Sequence, residues 1–130
     1  MNSPDSIILY HGTDVDSALE ILNHGINIEK LRLLQTGDTQ FGEGFYTANN
    51  VEVAWFFASM APGTLGKFYT VIECELLVEH LESLLEQGLA LQAPIVNTAF
   101  IGEQIWFHPD AFEFVNDHAE FRPLSKESIL

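Results

Sequence analysis

The chain is poor in positive charge and in cysteine. Five Lys and Arg stand against 19 Asp and Glu, a formal net charge of −14 over 130 residues. So few cations leave no basic stripe to offset phosphate repulsion, which argues against non-specific nucleic-acid binding and against attachment to an anionic membrane. The acidity supports solubility, and it also suits a basic protein partner or the exclusion of polyanions from a site. The lone cysteine, Cys74, excludes an internal disulfide and any cysteine-built zinc cluster, and it leans toward a reducing compartment. Long apolar runs are missing as well. The longest tract, around Val53 to Pro62, falls well short of the roughly 20 residues that span a bilayer. Met1 to Ser6 shows neither the basic start nor the apolar run of a secretory leader. The expectation is a soluble cytoplasmic protein, without a membrane partner or a metal.

What is present is a well-apolar chain, 47% hydrophobic, of the length of one domain, 1–130. Ser6 to Tyr10 reads as a buried strand that runs into a turn at His11-Gly12-Thr13. Asp14 and Asp16 are N-caps for a helix through Asn23, with Val15, Ala18, Leu19 and Leu22 at helical spacing and Gly25 as its stop. Gln35 to Gly44 is turn-rich. Phe45 to Ala48 reads as a strand, and Asn50 caps a helix from about Val51 to Met60. Further strands are expected at Lys67 to Leu76, Ile95 to Ala99 and Gln104 to Phe107. A helix is expected at Val78 to Glu86, and a short one from Pro109 to Val115. No repeat, linker or low-complexity stretch interrupts the pattern, which is that of a mixed α+β domain.

Three places carry candidate chemistry. His11-Gly12 follows a core strand, so His11 is either a satisfied structural histidine or a hydrogen-bond donor into a cleft. Gly12 would let a ligand reach its backbone amide and carbonyl, a pair that suits a carboxamide. Tyr46 and Phe57, on a strand and the next helix, are core aromatics or the two faces around a flat ring. Trp55 lies two positions before Phe57 and so faces elsewhere. Glu103 enters an apolar strand; it is an exposed acid, or a carboxylate placed to stabilise an oxocarbenium-like centre. A single acid suffices when the leaving group departs as a neutral molecule, as in cleavage of a pyridinium–ribose bond.

Together these stretches resemble the ADP-ribosyltransferase fold, in the branch with a His-Tyr-Glu triad that includes diphtheria toxin and the poly(ADP-ribose) polymerases. Tyr10-His11-Gly12-Thr13 matches the family's first-strand His-Gly. Gly42-Glu43-Gly44-Phe45-Tyr46-Thr47-Ala48 matches its Gly-x-Gly-aromatic-Tyr phrase, and Glu103-Gln104-Ile105-Trp106-Phe107 matches its catalytic Glu leading into a strand. The resemblance covers roughly Ile7 to Phe114, and small bacterial members look most similar, several of them toxins or defence proteins.

The resemblance implies a split β-sheet core with short flanking helices and NAD as a substrate. His11 would meet a ribose and Gly12, with Thr13 beside it, the carboxamide. Tyr46 and Phe57 would stack on the nicotinamide, and Glu103 would polarise the reacting ribose. Lys30 and Arg32 are the candidates for the pyrophosphate, although a solvated helix face explains them equally well. The implied partners are a protein acceptor and an antitoxin or immunity protein. Two departures stand out. The family's small polar residue on the helix after the Tyr is Ala54 here, and Ile101 stands where arginine-specific members carry an acid or amide. NAD hydrolysis, and binding of NAD, ADP-ribose or a protein without turnover, stay open as alternatives.

Overall fold

A computed structural model describes residues 5–27, 44–60, 69–94 and 102–124. The first strand, β1 (Ser6–Asp14), is longer than the sequence pattern indicates. It continues through His11-Gly12-Thr13 where a turn is expected, because β3 (Tyr69–Leu77) pairs with it antiparallel along its whole length, from Ser6 opposite Leu77 to Asp14 opposite Tyr69. Cross-strand pairing over that length outweighs the local turn preference of three residues.

β2 (Phe45–Ala48) and β5 (Glu103–Phe107) form a second antiparallel pair, with Tyr46 opposite Trp106. β4 (Ala90–Pro94) flanks β5, and β6 (Glu120–Pro123) flanks β3. The result is one six-stranded sheet in the order β4-β5-β2-β1-β3-β6. Its halves meet weakly: β1 and β2 share one registered pair, Tyr10 opposite Ala48. Where the resemblance implies a split sheet, the strands described form one continuous sheet.

Helices cover both faces. α1 (Val15–His24) is capped by Asp14, which accepts from the Ser17 amide, and it stops at Gly25, whose φ of 80° suits glycine. α3 (Val78–Glu86) and α4 (Phe112–His118), the latter entered through a 3-10 turn at Pro109–Ala111, lie on the same side of the sheet as α1. Their buried Ala18, Ile21, Leu81, Leu84, Phe112 and Val115 close over Leu9, Phe45, Ile72, Cys74, Ile105 and Phe107. Strand alternation puts those sheet residues on one face. Burial within this core pushes the Cys74 thiol up to about 12.

α2 (Val51–Met60) takes the opposite face. Gly12 is what lets it approach: a Cβ there would fall 2.1 Å from the Ala54 carbonyl oxygen and 2.8 Å from the Ala58 Cβ. Asn50 caps this helix through its Oδ1, which accepts from the Glu52 amide at 2.8 Å. On the same face, at the β3–β6 edge, Arg122 ties Glu73 at 2.9 Å and Glu75 at 2.6 Å. A hydrogen bond from the Ser6 hydroxyl, and then Arg122, hold the Glu75 carboxyl below the usual range. Among the described residues no helix is long and apolar enough to cross a membrane.

Candidate functional site

The strand order places the three matched segments side by side. β5 carries Glu103, β2 carries Tyr46, β1 carries His11 and Gly12, and β5-β2-β1 are neighbours in the sheet. Residues far apart in sequence therefore come together by topology alone.

His11 is buried, its ring stacked on Phe45 with centroids 4.3 Å apart and planes 28° from parallel. Its Nδ1 lies 2.6 Å from the Tyr46 carbonyl oxygen. A carbonyl only accepts, so Nδ1 carries the proton and Nε2 is left as an acceptor. Burial lowers the imidazole to about 4, against smaller raising effects of the Tyr46 carbonyl and the Asp14 charge. The histidine is thus neutral near pH 7. Its donor is committed to the backbone of β2, as the reading of a satisfied structural histidine requires.

Alternation along β2 sends Tyr46 to the face opposite Phe45, the face that also holds Gly12, Ala48 and α2. The His11 and Tyr46 rings therefore do not share a face; they are linked through the Tyr46 carbonyl instead. Ala54, the departure from the family pattern, is buried, with its carbonyl against Gly12. Close helix packing is thus a structural reason for Gly12 that needs no ligand. The Trp55 and Tyr69 rings meet edge to face, with centroids 6.3 Å apart. The side chain of Phe57, and the whole of Lys30 and Arg32, lie outside the described residues. Thr13 is buried and makes a long contact, 3.4 Å, from its hydroxyl to Asp14.

Glu103 opens β5 at the rim of the sheet and is partly exposed. The Gln92 side-chain amide, on β4, donates to its carboxylate. Its backbone is held at two points by Asn49: the Glu103 amide donates to Asn49 Oδ1 at 2.9 Å, and its carbonyl accepts from the Asn49 amide at 3.0 Å. Sequence reasoning passed over both partners. Asn49 was visible only as half of the Asn pair before α2, and Gln92 lies in a strand whose composition hides it. Along β5, Glu103 lies three residues from Trp106, the partner of Tyr46. That odd spacing turns the Glu103 side chain to the face of Ile105 and Phe107, opposite Tyr46, where Gln92 meets it.

The cations are elsewhere. Arg122, the sole Lys or Arg among the described residues, is engaged by Glu73, Glu75 and Glu120. Among the described residues no group of three or more His, Cys, Asp or Glu is placed to hold a metal ion. What the fold and the site define is a class: an α+β protein built on an antiparallel six-stranded sheet with short helices. No protein-family model, curated protein or solved structure matches the chain.

Proposed function

We propose that the protein is an NAD-dependent ADP-ribosyltransferase of the His-Tyr-Glu type, acting on a macromolecular acceptor as small bacterial toxins and defence proteins do. One observation carries this reading. The segments that bear the family's His-Gly, aromatic-Tyr and Glu phrases form three adjacent strands in the order β5-β2-β1, with His11 locked to Tyr46 by a 2.6 Å hydrogen bond.

In this reading the nicotinamide–ribose bond is held beside Glu103 at the rim of the sheet. The bond between the ribose anomeric carbon and the pyridinium nitrogen breaks, its electron pair leaving with neutral nicotinamide. Glu103 stabilises the positive charge that develops on the ribose. A lone pair of the acceptor then closes on the same carbon from the opposite face, and the acceptor loses its proton to solvent. His11, neutral, donates to the Tyr46 carbonyl and so fixes β1 against β2. The pyrophosphate falls to Lys30 and Arg32.

The test is incubation of the pure protein with labelled NAD, with and without cell extract. Transfer of label to a macromolecule, dependent on extract, supports the transferase; release of nicotinamide without extract points to hydrolysis. Glu103→Gln is expected to lower either rate by about 100-fold or more, in the range seen when one transition-state partner is lost. Full activity in that variant refutes the assignment of Glu103.

A second reading is favoured by the closed packing at Gly12. With the Ala54 carbonyl seated where a Cβ would be, the fold serves as a module that binds NAD, ADP-ribose or a protein without turnover. Calorimetric binding of NAD by a protein that releases no nicotinamide selects it.

A further inference from the structure

The reading just given asks one thing of Glu103, a fixed position at the rim of the sheet, and the structure assigns that task to Asn49. We propose that Asn49 is a positioning residue that sets the backbone of Glu103 and thereby the place of its carboxylate. β2 ends at Ala48 and α2 begins at Val51. The backbone therefore leaves the sheet just where Glu103 needs a partner across the ladder. Asn49 continues the ladder in another way. Its main-chain amide donates to the Glu103 carbonyl at 3.0 Å, and its side-chain oxygen accepts from the Glu103 amide at 2.9 Å. The side chain takes the role of the strand carbonyl that the departing chain can no longer offer.

The chain around Asn49 is closely packed. A Cβ at Gly102 would sit 3.1 Å from Asn49 Oδ1 and 3.2 Å from Asn50 Cβ, so the chain entering β5 lies directly on the Asn pair. Asn50 caps α2 through the Glu52 amide at 2.8 Å. The start of α2 and the backbone of Glu103 thus form one unit, and the helix that packs on Gly12 is the one that anchors the acid. Gln92 completes the hold by donating to the carboxylate from β4. A misplacement of about 1 Å at a reacting group can cost as much as 100-fold in rate. Asn49 is the one side chain that fixes the main chain of Glu103 among the described residues.

Asn49→Ala removes the acceptor and keeps the backbone donor; Asn49→Asp returns an oxygen to the same place. Two measurements on the full chain decide the matter. Hydrogen exchange of the Glu103 amide, read by NMR, is expected to run at least about tenfold faster in Asn49→Ala and to return close to the wild-type rate in Asn49→Asp. The kcat for nicotinamide release is expected to fall about tenfold in Asn49→Ala, with KM for NAD within about twofold, and to recover in Asn49→Asp. Unchanged exchange at Glu103 overturns the proposal, as does faster exchange with an undiminished kcat. A rise in KM in step with the loss of rate overturns it too, since it assigns Asn49 to binding. A wild-type protein that releases no nicotinamide removes the activity itself, and the positioning role with it, an outcome distinct from an active enzyme indifferent to Asn49.

Discussion

His11 makes the fold sensitive to acid over a window that its burial defines. The neutral ring stacks on Phe45 and donates to the Tyr46 carbonyl, and burial lowers it from 6.5 to about 4. In the unfolded chain the same group protonates near its ordinary value. Between those two pH values the unfolded state binds the extra proton, so stability is full above pH 6.5 and drains as pH falls toward 4. Each pH unit inside the window costs about 1.4 kcal/mol, and the whole window roughly 3 kcal/mol. From pH 7 to pH 5 the loss is about 2 kcal/mol, or roughly 8 °C in melting temperature for a domain of this size. The acidic surface works in the opposite direction, since protonating carboxylates relieves self-repulsion. The measurement is therefore a difference. Urea unfolding at pH 7 and pH 5 is compared between the wild type and His11→Gln, which keeps a donor for the carbonyl but does not titrate. The wild type should lose about 2 kcal/mol more than the variant across that interval, because the other four histidines and the carboxylates cancel. Parallel losses, within about 0.5 kcal/mol, would refute the claim that His11 is buried neutral against β2.

Gly12→Ala should destabilise by about 3 kcal/mol or more, because a Cβ cannot share space with the Ala54 carbonyl 2.1 Å away; a thermal melt shows it, and an unshifted midpoint contradicts the packing of α2 on β1. Asp14→Ala should cost about 1 kcal/mol by removing the cap of α1, where Asp14 accepts from the Ser17 amide at 3.1 Å and its hydroxyl at 2.5 Å; Asp14→Asn should restore most of it in the same chemical unfolding assay. Cys74, buried with its thiol at about 12, should not react with a thiol reagent at pH 8 until denaturant is added; prompt labelling of the native protein contradicts its place in the core.

What the sequence made legible follows the strength of local signals. The caps at Asp14, Gly25 and Asn50 name their helices because each satisfies a backbone group or adopts a backbone angle that few residues provide. The two edge strands were hidden. β4 reads Ala-Leu-Gln-Ala-Pro and β6 reads Glu-Phe-Arg-Pro, each ending in a proline, with Gln92 and Glu120 exposed. Edge strands tolerate proline and charge because one side needs no partner, so their composition resembles a loop. The strand expected at Ile95 to Ala99 lies outside the described residues. At the site, the motif residues could be named but not their directions. One residue of register decides the face in a strand, and His11 and Tyr46 fall on opposite faces although their phrases predict a shared cleft. The hold on Glu103 by Asn49 was out of reach for a related reason, since it depends on β5 pairing with β2 across more than fifty intervening residues.

Glu103 is the residue on which a structural and a functional explanation separate most cleanly. His11, Gly12 and Ala54 all pack in the interior, so any substitution there disturbs the fold whether or not a ligand binds. Loss of activity at those positions would therefore not distinguish the two accounts. Glu103 stands at the rim, partly exposed, with its backbone hydrogen bonds made by main-chain atoms that every residue possesses. Its carboxylate touches Gln92, which is itself exposed, and such a contact contributes about 1 kcal/mol at most. Glu103→Gln keeps shape and hydrogen bonding, so its stability should stay within about 0.5 kcal/mol of the wild type. A carboxylate retained only for packing predicts that activity follows stability and barely moves. A carboxylate that faces a developing cation predicts a fall of 100-fold or more at unchanged melting temperature. Measuring both quantities on the one variant decides between them, and a melting temperature that falls together with the rate would return Glu103 to the structural column.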